Sequence, residues 1–441
     1  MANSSISTRH ELITWLQALS ADAAAESMRK LSSAQSQSRA ALRNADAIVT
    51  HIEVNDQHGV GALIRKLFGG RANILSVRSA NYHNGEQDFG DLHFCLSHQD
   101  TSRDAVFLRA LNALGENTVA RVLCIPYFPD DVRNALAIKE IFNAPICTFL
   151  MDDQNVCADG ISDDLMRELL LKSALRLAIS PELCFAYELK YGCRMCFMPP
   201  LVATQHIQRH IQTPPLEPKG VIVGNIWGQR WLELLRDTVR NSGVSLHWYS
   251  NSDFRWLNCS KEDLIKDDII PHDGPPVPDE ELVEILRRAP FVVVPTGTLD
   301  STDDRRFIAQ LSLPSRIPYI LATSHTPVIV LGDVMTGAAR FVDQFRIGAV
   351  APYEREAFRD AVDRILQPDV NLAMRTNALV VAGRFADIGA AEWIWQSLAR
   401  REPLDQRYED MMPKERPDIA YLLTDDNLGI TGRRGHGFAA S

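Results

Sequence analysis

Three stretches in the second half of the chain carry residue types suited to holding an anion or a sugar. Gly224-Asn225-Ile226-Trp227-Gly228-Gln229-Arg230 falls between an apolar run and an amphipathic segment. A strand-to-helix turn of this kind offers free backbone N–H groups to a phosphate, and Arg230 adds a bidentate, charge-assisted donor. Without a ligand, the same stretch is an ordinary turn with a surface arginine. Val294 to Asp304, with Thr296, Gly297 and Thr298 at its start, is rich in small hydroxyl and acidic groups. That composition suits a loop contacting a sugar or nucleotide, and equally a solvated turn. Ser312, Ser315 and Arg316 cluster at a helix start, where hydroxyls, a cation and free amides combine into an anion site.

Such groups need a scaffold, and the hydrophobic rhythm supplies one. Ala47 to Val54 is a β-branched run, followed by the polar, glycine-bearing Asn55-Asp56-Gln57-His58-Gly59-Val60-Gly61, a helical segment to about Phe68 and a second run at Ala72 to Val77. Strand, loop, helix, strand is the rhythm of a βαβ unit. Further strands are expected at Val119–Ile125, Pro145–Leu150, Leu175–Ile179 and Cys196–Met198. Their near-continuous apolar character suits parallel strands covered on both faces. The proline-rich Gln212 to Lys219 reads as a linker, after which the rhythm restarts at Gly220–Asn225, Ser245–Tyr249, Phe291–Val294 and Thr326–Leu331. The chain is therefore expected to form two doubly wound α/β domains. The first is 1–212, with a helical extension over 1–45. The second is 220–387, and a closing helix and tail occupy 388–441. Open parallel sheets bind ligands at the carboxyl ends of their strands, so two in series suit a cleft that brings two substrates together.

Composition narrows the field. Of 441 residues, 46% are hydrophobic and 23% charged, an ordinary soluble globular balance. The 46 basic and 56 acidic residues give a net charge of −10, which repels nucleic acid. No 18-residue uncharged apolar segment occurs, and the first residues lack a basic region followed by an apolar stretch, so a cytoplasmic protein is expected. The cysteines lie mostly in apolar runs and read as small hydrophobes. Cys193 and Cys196, with His206 and His210 nearby, have zinc-like spacing but read first as a reduced thiol pair. No dinucleotide fingerprint, P-loop or nucleophile-elbow motif is present. No D-x-D stands behind an apolar strand, so no metal site is expected. The helix after Gly61 carries Arg65 and Lys66 beside Leu63, Ile64, Leu67 and Phe68. It reads either as a core-facing helix with a basic outer side or as one resting on an anionic membrane surface.

From about Ala47 to Arg401 the pattern resembles the two-domain GT-B glycosyltransferases, near family 4. The family's second domain opens as Val223-Gly224-Asn225-Ile226 does here. Its donor-binding segment resembles Pro314-Ser315-Arg316-Ile317-Pro318-Tyr319 through Pro327-Val328-Ile329, with Arg316 at the family's lysine and Tyr319 at its ribose-binding glutamate. The stretch around Val277 resembles the part lying against the nucleotide base, and Gly389 to Leu398 the final helix that crosses back. The resemblance implies that the first domain takes the acceptor, with Gly59 and Gly61 near the donor diphosphate. Asp56 or His58 then positions the acceptor hydroxyl, though each also reads as a plain loop or helix-start residue. Asp152-Asp153, behind the Phe149-Leu150 run, is a further acidic pair, from which Asp153 is taken as a candidate base. Arg230, Arg316, Ser315 and the amides after Gly224 and Thr296 would meet the charge of a departing nucleoside diphosphate.

The expected activity is transfer of a sugar from a nucleotide-activated donor, without a further cofactor. The acceptor is a glycan, lipid-linked or protein hydroxyl, as in surface-glycan synthesis. A nucleotide-sugar epimerase of the same architecture and a non-catalytic nucleotide-sugar-binding protein are the alternatives.

Overall fold

A computed structural model describes residues 41–419 and 422, except 57, 58, 251–258, 273 and 276. Residues 1–40 of the expected helical extension, His58 and the tail from Thr431 therefore lie outside the described residues, and residues 41–45 are not helical but lead into the first strand.

Two all-parallel sheets organise the chain. The first holds β1 (Ala45–Thr50), β2 (Ile74–Arg78), β3 (Leu92–Cys95), β4 (Val119–Cys124), β5 (Ile146–Leu150), β6 (Ser173–Ala178) and β7 (Cys196–Phe197) in the order β3-β2-β1-β4-β5-β6-β7. The second holds β8 (Lys219–Val223), β9 (Ser245–Tyr249), β10 (Ile269–His272), β11 (Val292–Pro295), β12 (Val328–Leu331) and β13 (Gly348–Ala351) in the order β10-β9-β8-β11-β12-β13. In each sheet the order reverses once, between β1 and β4 and between β8 and β11. That is the doubly wound α/β arrangement expected from the sequence. It places a ligand crevice at each reversal.

Burial explains the central strands. Every residue of β1, β2, β5, β11 and β12 is buried, because helices cover both faces. Local chemistry sets the helix ends: Ser180 accepts from the Leu183 N–H at the start of helix Pro181–Tyr191, and Gly192, at φ +66°, ends it in the left-handed region. One apolar core runs from the first sheet into the inner side of the second lobe through Leu313, Ile317 and Phe341. A separate core around Trp248, Phe291 and Phe358 fills the outer side.

The helix Gly59–Phe68 buries Val60, Leu63, Ile64, Leu67 and Phe68. Arg65 pairs with Asp56 at 3.3 Å and Asp88 at 2.5 Å, while Arg71 pairs with Glu392. The apolar face is thus committed to the core, in line with the core-facing reading of this helix. Among the described residues no helix is long and apolar enough to cross a membrane.

The chain passes between lobes twice. Helix Ala390–Arg400 lies on the first lobe, where Trp395 meets Phe68 at 5.4 Å between ring centroids and Arg121 sits 4.4 Å over the Trp395 ring. The outgoing and returning chains are joined: Val202 N–H donates to Phe385 O at 2.8 Å, and Val202 O accepts from Asp387 N–H at 3.0 Å. Asp387 also accepts from the Thr204 N–H and hydroxyl at 2.9 and 2.6 Å. Beyond the helix, Glu409 accepts from the first lobe's Phe197 N–H at 2.9 Å, and Met411 O accepts from the second lobe's Gln344 at 2.8 Å.

His325 lies beside this junction, buried, with φ +56°. Burial, then the Arg375 guanidinium, lowers its pKa to about 4. The unfolded chain gains a proton there below about pH 6.5 that the folded chain refuses, so stability is lost as pH falls from about 6.5 towards 4. Asparagine tolerates this backbone region, so denaturant titrations of His325→Asn should show a flatter dependence over that window than the parent. An equal slope would remove His325 as the cause.

Candidate functional site

At the second lobe's reversal, the turn after β8 is fixed from behind through its carbonyls. Gly224 has φ +76°, a conformation natural to glycine. Its carbonyl accepts from Trp248 Nε1 at 2.8 Å. Arg316 donates from Nη1 to Val223 O at 2.8 Å and from Nη2 to Asn225 O at 2.5 Å. Burial lowers the Arg316 pKa to about 10, so the guanidinium stays charged at neutral pH. A Cβ at Gly224 would stand 3.5 Å from the Arg316 guanidinium carbon. Gly224, Asn225 and Arg316 are therefore brought together, with Arg316 gripping the turn itself. Asn225 Oδ1 accepts from Ser250 at 2.8 Å. Arg230, exposed on the next helix, stands 3.9 Å from Glu233.

The loop after β11 forms the neighbouring wall. Thr296 O accepts from Tyr353 OH at 2.7 Å, and Asp303 accepts from Trp231 Nε1 at 2.8 Å and Leu299 N–H at 3.1 Å. A side chain at Gly297 would place its Cβ 2.3 Å from Asp303 and 2.6 Å from Ala309. Gly297→Ala is therefore expected to cost about 1–3 kcal/mol and to distort this wall, measured as a lower denaturation midpoint. Thr298 is half-buried on the same loop, next to Leu299 at φ +60°.

At the first lobe's reversal, the loop after β4 is held by Asp131, whose carboxylate accepts from the Tyr127 and Phe128 N–H groups at 2.9 and 2.7 Å and from Ser79. Burial raises its pKa to about 7 despite those bonds. His51, from the loop after β1, stacks on Tyr127 at 4.2 Å between centroids. Glu53 is buried, which alone would raise its pKa, but the backbone N–H groups around it, including those of Tyr82 and Gly85, outweigh burial and lower it.

The lobes meet at Asp152, just beyond β5. Its Oδ2 accepts from Tyr127 OH in its own lobe, and its Oδ1 accepts from Ser312 Oγ of the other lobe at 3.0 Å. Burial raises the Asp152 pKa to about 6, above the ordinary aspartate range, although both hydroxyl bonds oppose it. Ser180 of the first lobe donates to Leu311 O alongside. Ser312 thus ties the first lobe's carboxylate to the short segment that carries Ser315 and Arg316. Ser315 is exposed at the start of helix Arg316–Thr323.

Other expected residues stand elsewhere. Asp153, the sequence candidate for a base, is turned inward. It accepts from the N–H groups of Asn155, Val156, Cys157 and Ala158 at 2.8–3.1 Å and from Tyr187 OH at 3.2 Å, so it organises a loop. Its neighbour Asp152 takes the position between the lobes, and an alternation of one residue decides between them. Asp56 is exposed against Arg65. Gly59 and Gly61 form the first turn of the helix Gly59–Phe68, and among the described residues no atom outside its chain neighbours and that helix's backbone lies within 4 Å of a Cβ at Gly59. Tyr319 reaches Asp279 at 3.4 Å, where His206 also points, at 3.6 Å. Val277 precedes that aspartate's helix, half-buried. The zinc-like set is dispersed: His206 faces Asp279, and burial raises the Cys193 and Cys196 thiols. Among the described residues no group of three or more His, Cys, Asp or Glu is placed to hold a metal ion.

No family model matches the chain, and no curated protein matches it in sequence. Solved structures do match in shape. Anabaena HepE, solved in complex with UDP, is similar at TM-score 0.59 and 14% identity, covering 81% of this chain and 100% of that one. A glycosyltransferase from Rickettsia africae is similar at TM-score 0.54 and 10% identity, over 84% and 100% of the two chains. A UDP-N-acetylglucosamine 2-epimerase is similar at TM-score 0.51 and 12% identity, over 86% and 99%. At these identities the likeness establishes the shared fold, the GT-B pairing of two Rossmann-like lobes, and leaves the reaction to the residues.

Proposed function

We propose that the chain is a glycosyltransferase, related to family 4 through its Pro314–Ile329 segment. It transfers a sugar from a nucleotide diphosphate donor to an acceptor hydroxyl. The observation that carries this reading is the placement of Asp152. A carboxylate with a pKa near 6 stands where the lobes meet, connected through Ser312 to the segment whose Arg316 holds the glycine turn. The acceptor hydroxyl takes Ser312's position against Asp152, which accepts its proton as the acceptor oxygen bonds to the sugar's anomeric carbon. The bond from that carbon to the diphosphate oxygen breaks, and the nucleoside diphosphate leaves against Arg230 and the turn amides that Arg316 holds in place. The donor is the only small molecule required, and the protein works in the cytoplasm.

The epimerase neighbour supports a second reading, in which donor alone is converted. A thermal-shift screen against nucleoside diphosphates and their sugars separates these. A ligand at 100 times its dissociation constant adds about 2.7 kcal/mol to stability. Stabilisation by a nucleoside diphosphate, donor unchanged in the absence of acceptor, and full turnover in excess EDTA are the expected results. Conversion of donor by itself would favour the epimerase, and no stabilisation by any nucleotide would remove both.

A further inference from the structure

Leu313, one residue beyond Ser312, opens onto a cavity of about 340 Å³ between the lobes, large enough for a small ligand. Met335, Arg340 and Phe341 of the second lobe wall it, with Glu182 of the first and the chain segment 413–418. Glu182 lies in the first turn of helix Pro181–Tyr191, with its side chain only 5% exposed. Its carboxylate faces Arg340 Nη1 at 3.5 Å, a long contact for an ion pair. Arg340 Nη2 meets the Met335 sulfur at 3.9 Å. A buried carboxylate and a guanidinium thus stand side by side, joined to each other by one long contact. Burial pushes the Glu182 carboxyl above its ordinary range, although its own backbone N–H and Arg340 oppose the shift.

The lining also indicates what fits. Glu182, Asp343, Glu415 and Asp418 outnumber Arg340 and Arg416, so a phosphate is repelled and the donor diphosphate belongs elsewhere. A neutral polyol meets every requirement. One hydroxyl donates to Glu182, its neighbour accepts from Arg340, and the C–H face of the ring rests on Phe341 and Leu313. We propose that this cavity is a saccharide subsite taking one pyranose unit of a neutral glycan, with Glu182 and Arg340 reading adjacent hydroxyls. Its assignment to the acceptor rests on the glycosyltransferase reading; the binding chemistry does not.

Saturation-transfer NMR of the full chain with a mixture of neutral methyl pyranosides, with and without UDP, tests this. Saturation should reach the ring protons. Affinity should fall at least about tenfold in Glu182→Gln and in Arg340→Ala, since hydrogen bonds to charged groups are worth roughly 1.5–3 kcal/mol. UDP binding should be unchanged. If Glu182→Gln fails to fold, Arg340→Ala, at the cavity rim, decides alone. Saccharide binding equal to the parent's in Arg340→Ala, or none in the parent at tens of millimolar, overturns the subsite. Saccharide binding that depends on these residues in a protein that binds no nucleotide keeps the subsite and removes the glycosyltransferase reading instead.

Discussion

Asp152→Asn is expected to lower the transfer rate by about 10²–10⁴-fold, the usual contribution of a positioned general base, with the melting temperature close to the parent's. The asparagine oxygen still accepts from Ser312, and its NH₂ donates to the Tyr127 oxygen in place of the bond Asp152 accepts from Tyr127 now. Geometry is kept and only the proton acceptor is lost. The parent's rate should fall about tenfold per pH unit below the Asp152 pKa of about 6, and the residual rate of the variant should lose that limb. A variant within a fewfold of the parent, or one retaining the limb, would transfer the role to another group. Asp153→Asn provides the contrast: it weakens a carboxylate that holds four backbone N–H groups, so stability falls while the acidic limb stays where it was.

The second large effect is expected from Arg316→Ala. Removing the guanidinium leaves the Val223 and Asn225 carbonyls without their donor, which costs about 1–3 kcal/mol, and releases the glycine turn. Nucleoside diphosphate affinity should fall by at least about tenfold together with stability, because a displaced turn no longer presents its amides. Arg316→Lys should recover part of both, since an ammonium reaches one carbonyl well and lacks the planar fork for two. Calorimetric titration alongside denaturant unfolding reads the two effects separately. Lost affinity at unchanged stability would mean that Arg316 touches the ligand directly and does not act through the turn.

The strands buried on both faces were legible from residue order alone, and those that were missed share a cause. β3, β10 and β13 are edge strands. β3 alternates half-buried and exposed residues, β10 contains Pro271, and β13 is Gly-Ala-Val-Ala. Covered less completely, they do not need continuous apolar runs, and proline is tolerated at an edge. Gly224 and Arg316 were likewise singled out as two segments, but not the direction in which the guanidinium points. Spacing identifies a cation near a turn and is silent on whether it faces the ligand or the turn's carbonyls. Asp152 and Asp153 are adjacent, so only the path of the following loop, which wraps its amides around Asp153, separates base from scaffold. Glu182 and Arg340 are 158 positions apart and meet only through the approach of two lobes.

That approach is governed by the paired chain crossings at Val202–Thr204 and Phe385–Asp387. Two strands of chain laced by their own backbone bonds behave like a seam stitched twice: shifting one crossing past the other would break the Val202 and Asp387 bonds. The pair thereby fixes the angle at which one lobe faces the other, and Asp152 and Ser312 meet at a distance set by backbone rather than by side chains alone.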